Sequence, residues 1–475
     1  MSQLRIHDHF QLELKRDIPI DAPGPSTLEL WFWVPGQLGL DEPVFHKEAF
    51  YRDLTAYVRF HTPRMPRDAI LERIGAFQAR LAALSGTAAD PVALERDLRL
   101  FAAMFRAVQR DGTRASMPRE THAADALARH VSTGRDALRR FRDLRATGAT
   151  APAPWPSTLA ALEDYLSQQA IEGWYALLAA WADQDPGVAA SLRDAIRAET
   201  AARADGGLQG TLDPADDAQH ERFVTRMNAL KKFVLAVLHV RLEHSRRTQH
   251  VQDLLFGLAA ALAMLVAVSL QLWTMWTVGV PTGPGSGPAL FTFVTTAVGG
   301  YILKDRMKEW LKGWFAQGIP RWLHDRRIDL VSEAGPLGSV EETVRLLRPS
   351  ETPPDVAALR SLGEEALTAS ERDREDIIHY RRSAWLRRDG APAEMDAVDE
   401  ILRFHVQRWL RRMDEPTRAL SQVQHDGTVA RIRAAKVYMV TAIVRDAGRL
   451  ARYNVVLNRK GLLRVERVPA GPARA

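Results

Sequence analysis

Apolar and polar residues alternate at the two ends of the chain and recur at helical spacing between them. Near the start, Phe10, Leu12 and Leu14 alternate with Gln11, Glu13 and Lys15. After a Pro/Gly-rich link, Leu28, Leu30, Phe32 and Val34 alternate with Glu29, Trp31 and Trp33. A period of two puts each set on its own strand face. At the other end Val437–Val444, Tyr453–Leu457 and Leu462–Val468 read as strands, with turns at Asp446-Ala447-Gly448 and Asn458-Arg459-Lys460-Gly461. Isolated two-stranded pieces are seldom stable, so residues 1–60 and 426–470 are expected to join in one small sheet.

Residues 67–205 predict a helical domain. Asp90-Pro91 is a helix start, and Leu94, Leu98, Phe101, Phe105 and Val108 form one apolar face that ends at Asp111-Gly112. Leu159–Trp181 is a second, strongly apolar helix. No Gly or Pro interrupts Ala218–Phe256, so a long stalk helix is expected over 217–253. Residues 326–425 also read as helical. Ser370-Glu371-Arg372-Asp373 resembles a capping box for a helix running through Trp385, and Val398, Leu402, Val406, Trp409 and Met413 suit a further helix that stops before Pro416. The expected fold class is mainly α with a smaller β part.

The middle of the chain departs from this rhythm. From Leu254 to Leu303, 50 residues carry no Asp, Glu, Lys, Arg or His. Roughly 20 apolar residues suffice to cross hydrocarbon. Leu254–Thr277 predicts one span, Val278–Pro288, with three prolines and four glycines, a turn, and Ala289–Leu303 a second span. Fifteen residues cover only about 23 Å, so the second helix is expected to continue past Lys304. Together they predict a two-span transmembrane hairpin over 254–303. An amphipathic juxtamembrane helix is expected over 304–325, with Leu303, Met307, Trp310, Leu311, Trp314 and Phe315 on one side and Lys304, Lys308 and Lys312 on the other. Trp273 and Trp276 suit an outer aromatic belt, and Tyr301, Trp310 and Trp314 an inner one. Ala297, Gly299 and Gly300 permit close helix approach.

Charge sets an orientation. Lys231, Lys232, Arg241, Arg246 and Arg247 precede the apolar stretch, while Lys304, Arg306, Lys308, Lys312, Arg321, Arg326 and Arg327 follow it; the connecting turn has no basic residue. The positive-inside rule then predicts a multi-pass protein of a bacterial inner membrane with both termini cytoplasmic. The opening residues lack the pattern of a signal peptide. A net charge of +6 is too modest to call for nucleic acid. The chain has no cysteine, which excludes disulfides, thiolate nucleophiles and Cys-ligated metal sites.

Candidate chemistry is sparse. No Gly-Lys-Ser or Gly-Lys-Thr is present, and Gly283-Pro284-Gly285-Ser286-Gly287 reads as part of the turn. His7 and His9 share a strand face without a third ligand in view. His239, His244 and His250, five and six apart, fall on different faces of the expected stalk. Glu371–Asp376 interleaves acids with arginines as a solvated face does. Trp31 and Trp33 suit a second packed surface or a ligand site, and Arg449, Arg452, Arg459 and Lys460 suit basic strand edges. No metal, cofactor or catalytic residue is assigned.

The layout of cytoplasmic part, stalk, span, short turn and second span resembles that of bacterial two-span magnesium channels. Their Gly-Met-Asn signature is absent from this sequence, and their function is not carried over. The leading expectation is a membrane-anchored cytoplasmic scaffold or regulator that binds a lipid bilayer and a protein partner or further copies of itself. An oligomeric two-span channel or transporter, its path lined by hydroxyls of Ser269, Thr292, Thr295 or Thr296 or by backbone carbonyls, is the second class. An enzyme with a dispersed active site is the third.

Overall fold

The computed structural model describes residues 2–38, 47–82, 90–118, 123–244, 247–278, 287–318, 324–361 and 375–469. Of the described residues about 52% are helix and 30% strand, in three sheets. The chain forms two compact units, one of residues 1–58, 241–391 and 399–475, the other of 59–240 and 392–398.

The first unit holds most of the strands: β1 (Gln3–Asp8), β2 (Gln11–Pro19), β3 (Ser26–Pro35), β4 (Leu54–Phe60), β5 (Arg241–His244), β6 (Arg326–Ser332), β7 (Gly335–Leu347), β8 (Glu375–Leu386), β9 (Ala397–His405), β10 (Thr417–Val423), β11 (Val429–Ala435), β12 (Tyr438–Asp446), β13 (Arg449–Asn458) and β14 (Gly461–Val468). One sheet has four strands in the order β1-β2-β9-β4. Another has eight, β14-β13-β12-β3-β8-β7-β6-β5, and β10-β11 stands as a separate pair. β3 pairs antiparallel with β12, Trp31 opposite Ile443. The two chain ends therefore share a sheet, but it is not small, and the middle of the chain supplies half of it.

The four- and eight-stranded sheets meet face to face. Leu12, Leu14, Leu402 and Phe404 pack against Leu28, Leu30, Phe32, Ile378, Val440 and Val455 in one apolar cluster. The far side of the large sheet is covered too. Trp31, Trp33, Ile377 and Ile443 pack with Val356 of a short helix, Pro354–Ser361. β3 is thus buried on both faces, which accounts for its near-continuous run of large side chains.

A line of charge crosses the sandwich core. Arg16 Nε donates to Glu400 Oε2 at 2.6 Å, and Arg382 Nε to Glu400 Oε1 at 2.7 Å. Arg382 also pairs with Glu342, which accepts from Tyr380 Oη at 2.6 Å. These five side chains are all at most 2% exposed. Burial alone would raise the Glu400 pKa, but the fields and hydrogen bonds of Arg16 and Arg382 outweigh it and hold the group at about 2.

This network corrects the helical expectation for 326–425: from β6 to β9 the described residues are mostly strand, with short helical pieces. The inward positions of β7, β8 and β9 include Glu342, Arg382 and Glu400, so charged residues break up the apolar alternation. Val398 and Leu402 lie four apart, a spacing that one strand face satisfies as well as a helix face does; both are buried in β9, and only Gln407–Leu410 beyond it is helical. The capping-box residues Ser370–Asp373 lie outside the described residues.

Gly338 on β7 marks a tight crossing. Its φ is +155°, and a Cβ there would lie 1.9 Å from the Trp385 carbonyl oxygen of β8. Gly338→Ala is expected to cost roughly 3 kcal/mol or more, as strained backbone plus a core clash do. Gly299→Ala, with nothing within 4 Å of the new atom, is expected to be close to neutral. Denaturation of both variants in detergent checks this; an unchanged midpoint for Gly338→Ala would refute it.

The first unit also holds the short helix α1 (Lys47–Asp53), and the second unit is a helical bundle of α2 (Ala69–Ala82), α3 (Pro91–Ala115), α4 (Ala123–Gly148), α5 (Trp155–Trp181), α6 (Pro186–Asp205) and α7 (Asp217–Leu235). Asp90 caps α3 by accepting from Val92 N and Ala93 N at 3.0 and 3.2 Å. That helix runs through Gly112 rather than ending there. A Cβ at 112 would meet the buried His130 ring at 2.3 Å, so the glycine serves packing and not termination. The apolar Trp155–Trp181 helix carries buried Asp164, held by Arg203 and Arg226 at 2.7 Å each.

The expected stalk over 217–253 is not one helix. Asp217–Leu235 ends in a 3-10 turn, and β5 then pairs with β6, Leu242 opposite Leu330. Tertiary pairing at a sheet edge overrides the local absence of helix breakers.

Candidate membrane interface

Two long helices leave the large sheet beside that edge. α8 (Arg247–Val278) follows β5, and α9 (Gly287–Gly318) precedes β6. Because β5 and β6 are hydrogen-bonded neighbours, the chain departs from and returns to one edge of one sheet. At the return, Asp325 accepts from Lys47 Nζ at 2.6 Å, Tyr51 Oη at 3.1 Å and Val344 N at 2.7 Å, and the Arg326 guanidinium lies 4.3 Å from the Tyr51 ring centroid.

The helices touch through small residues. Ala259, Ala263 and Thr274 are buried on α8, and Gly300 on α9. A Cβ on Gly300 would sit 3.8 Å from Leu270 and 4.0 Å from the Ala267 carbonyl. Gly299, by contrast, faces open space. Small residues at four-residue intervals are the pattern that brings helices close where there is no water to drive them together.

Large apolar residues point outward instead. Leu254 is 74% exposed, Leu265 64%, Leu272 61%, Phe291 74% and Ile302 57%. Apolar surface of this extent marks a partner or a lipid phase. The hydroxyls ask nothing of that surrounding: Thr274 donates to Leu270 O at 2.8 Å, Thr277 to Trp273 O at 2.9 Å and Thr296 to Thr292 O at 2.8 Å. Such groups are satisfied within their own helix.

Phe256–Thr277 is long and apolar enough to cross a membrane, and it is the one described helix that is. The expected two-span transmembrane hairpin is therefore corrected. α9 carries Lys304, Asp305, Arg306, Lys308 and Glu309 in its second half. Its apolar part is too short to match the roughly 30 Å of a hydrocarbon core. Most of the expected turn, residues 279–286, lies outside the described residues.

Of the expected interface residues, Trp273 and Trp276 are 60% and 85% exposed in the last turns of α8. Tyr301 and Trp310 are exposed on α9. Lys304 sits 4.0 Å over the Tyr301 ring and 3.7 Å from Asp305. Lys308 is half-buried, as are Met307 and Leu311, so burial does not divide a basic stripe from an apolar one. Lys312 and Trp314 belong to α9, but their side chains lie outside the described residues.

The other candidates separate. His7 on β1 faces Glu13 at 3.3 Å, while His9 joins the fold through its carbonyl, which accepts from Leu462 N. His239 closes a 3-10 turn and His244 lies on β5, so the expected helical histidine series does not exist; the His250 side chain lies outside the described residues. Trp31 stacks on His379 at 4.9 Å under the Arg445 guanidinium, as part of the second packed surface. Of Glu371–Asp376 only the last two residues are described, and Glu375 accepts from Arg360. Arg452 is buried, its Nη1 donating to the carbonyls of Leu359 and Arg360. Arg459 pairs with Glu415 at 3.2 Å.

What the sequence reading missed is the pair β10–β11. Its signal was available as an Asp426-Gly427 turn flanked by short alternating runs. No family model, curated protein or solved structure matches the chain.

Proposed function

We propose that this chain is a membrane-anchored scaffold that acts by holding partners at a lipid surface rather than by catalysis. One observation carries the reading: the large apolar side chains of α8 face outward over a length that matches hydrocarbon, while its small residues face α9. α8 is the lipid-embedded element, and α9 covers its small-residue seam. The pairing of β5 with β6 brings both ends of the helix pair back to one sheet edge. Basic residues concentrated on those flanks favour the cytoplasmic face of a bacterial inner membrane.

Full-length protein is expected to stay in the membrane pellet after an alkaline carbonate wash, and to bring a distinct protein with it in fixed ratio from mild detergent. Recovery in the wash ends the anchoring reading. Purification alone from several growth conditions ends the scaffold reading.

A further inference from the structure

We propose that β10 is a dimerisation edge: two copies of this chain pair antiparallel through Thr417–Val423, about a two-fold axis at Leu420, to form the four-stranded sheet β11-β10-β10-β11. The inference is independent of the membrane reading.

Every residue of β10 is exposed, as are most of β11. Among the described residues the pair joins no other strand. A free two-stranded hairpin is marginal in water, and three or more strands with an apolar face are needed for stability. Leu420 and Ile432, directly opposite each other on one face, are 45% and 47% exposed.

Hydrogen-bond parity limits the register to axes that pass through a residue, and the Leu420–Ile432 apolar pair picks Leu420 among them. Gln424 N donates to Thr428 O at 2.8 Å and Lys436 N to Pro416 O at 2.9 Å, which fixes both ends of the ladder. Bonded and non-bonded pairs alternate in an antiparallel ladder. The backbone groups of Arg418, Leu420 and Gln422 are therefore directed at β11, and those of Thr417, Ala419, Ser421 and Val423 at the free edge. A two-fold axis at Leu420 sets Ala419 opposite Ser421 of the second copy and Thr417 opposite its Val423, all with outward backbone groups. Arg418 then faces Gln422, and no like charges oppose. Leu420 meets Leu420 at a non-bonded pair, where Cα atoms approach to about 4.5 Å. Ile432, Leu420 and their two symmetry mates form one apolar row across the new sheet, the self-complementary contact that two-fold dimers use.

Charge decides between the two edges. On β11 the outward positions include Arg431 and Arg433. A two-fold axis at Ile432 would set Arg431 against Arg433, and one at either arginine would set it against itself. Directly opposed like charges destabilise, and basic residues are a common guard on strand edges.

The cysteine-free chain makes the test direct. In detergent-solubilised full-length protein under mild oxidation, Leu420→Cys is expected to run mostly as a disulfide-linked dimer on a non-reducing gel. Ile432→Cys is expected to stay single, because three strand spacings of about 4.8 Å separate its two copies. Ala419→Pro removes an N–H directed at the free edge and leaves the β10–β11 ladder intact. It is expected to abolish the Leu420→Cys cross-link while the circular dichroism signal of the sandwich stays unchanged. Equal cross-linking at 420 and 432, no cross-link at 420, or a cross-link that survives Ala419→Pro would each overturn the proposal. None of these outcomes depends on whether α8 sits in lipid.

Discussion

Replacing Glu400 with alanine is expected to destabilise the sandwich by about 3–5 kcal/mol at neutral pH. Glu400 is 1% exposed and bridges Arg16 on the four-stranded sheet to Arg382 on the eight-stranded one. Removing it leaves Arg16 with only Asp446, at 3.6 Å, and Arg382 with only Glu342 to balance a buried charge. Their Nη2 atoms already lack a hydrogen-bond partner among the described residues. Breaking a buried pair from one side costs about 3–5 kcal/mol, against a total stability of about 5–15 kcal/mol for a typical domain. Glu400→Gln keeps the shape, removes the charge and is expected to fall close behind. Urea denaturation in detergent, followed by the strand signal in circular dichroism, reads the loss; a midpoint within error of the parent would refute it.

The same residue fixes an acid limit. Its folded pKa of about 2 lies below the ordinary 4.5, so the unfolded chain takes up the proton first as pH falls. The contribution is complete above about pH 4.5 and is lost progressively toward pH 2. A displacement of this size corresponds to about 3 kcal/mol. The parent is expected to lose stability across that window, and Glu400→Gln to show a shallower acid slope.

The second large effect concerns α8. Leu265→Arg combined with Val268→Arg places two charges near the middle of Phe256–Thr277, where each costs about 2.5–3.5 kcal/mol in hydrocarbon. Both parent side chains point outward, 64% and 42% exposed. The folded sheets lose no internal contact of consequence. The doubly substituted protein is expected to move from the membrane pellet to the soluble fraction while keeping its circular dichroism spectrum. Retention in the pellet after a carbonate wash would count against lipid as the surrounding of α8.

The apolar centre was legible in the sequence because one physical property, the lack of ionisable groups, singles it out. The limit of that signal is visible at Lys304. The uncharged stretch counted residues of both helices, but among the described residues only α8 is both long and apolar enough to cross. Trp273, Trp276, Tyr301 and Trp310 could be placed because exposure of aromatics follows helical spacing. The strands β3, β12, β13 and β14 were readable from alternation. β7, β8 and β9 were not, since Glu342, Arg382 and Glu400 stand where apolar residues would announce a buried face. Charge on a buried face is stabilised by partners far away in sequence, such as Arg16 to Glu400, and no local window contains that information. β5 was hidden for a related reason: four residues become a strand only because β6 arrives beside them.

That late arrival has a consequence for how the molecule is put together. Strands β5 and β6 are consecutive neighbours in space but are separated along the chain by both long helices. To the sheet, the whole helical excursion is a hairpin loop of unusual length. Loop-closure entropy grows only slowly with length, so such an excursion is a tolerable addition to an otherwise ordinary β-meander. The outermost rung of the eight-stranded sheet can form only after α9 has been synthesised and has folded back. The border strand thus reports that the helix pair is complete.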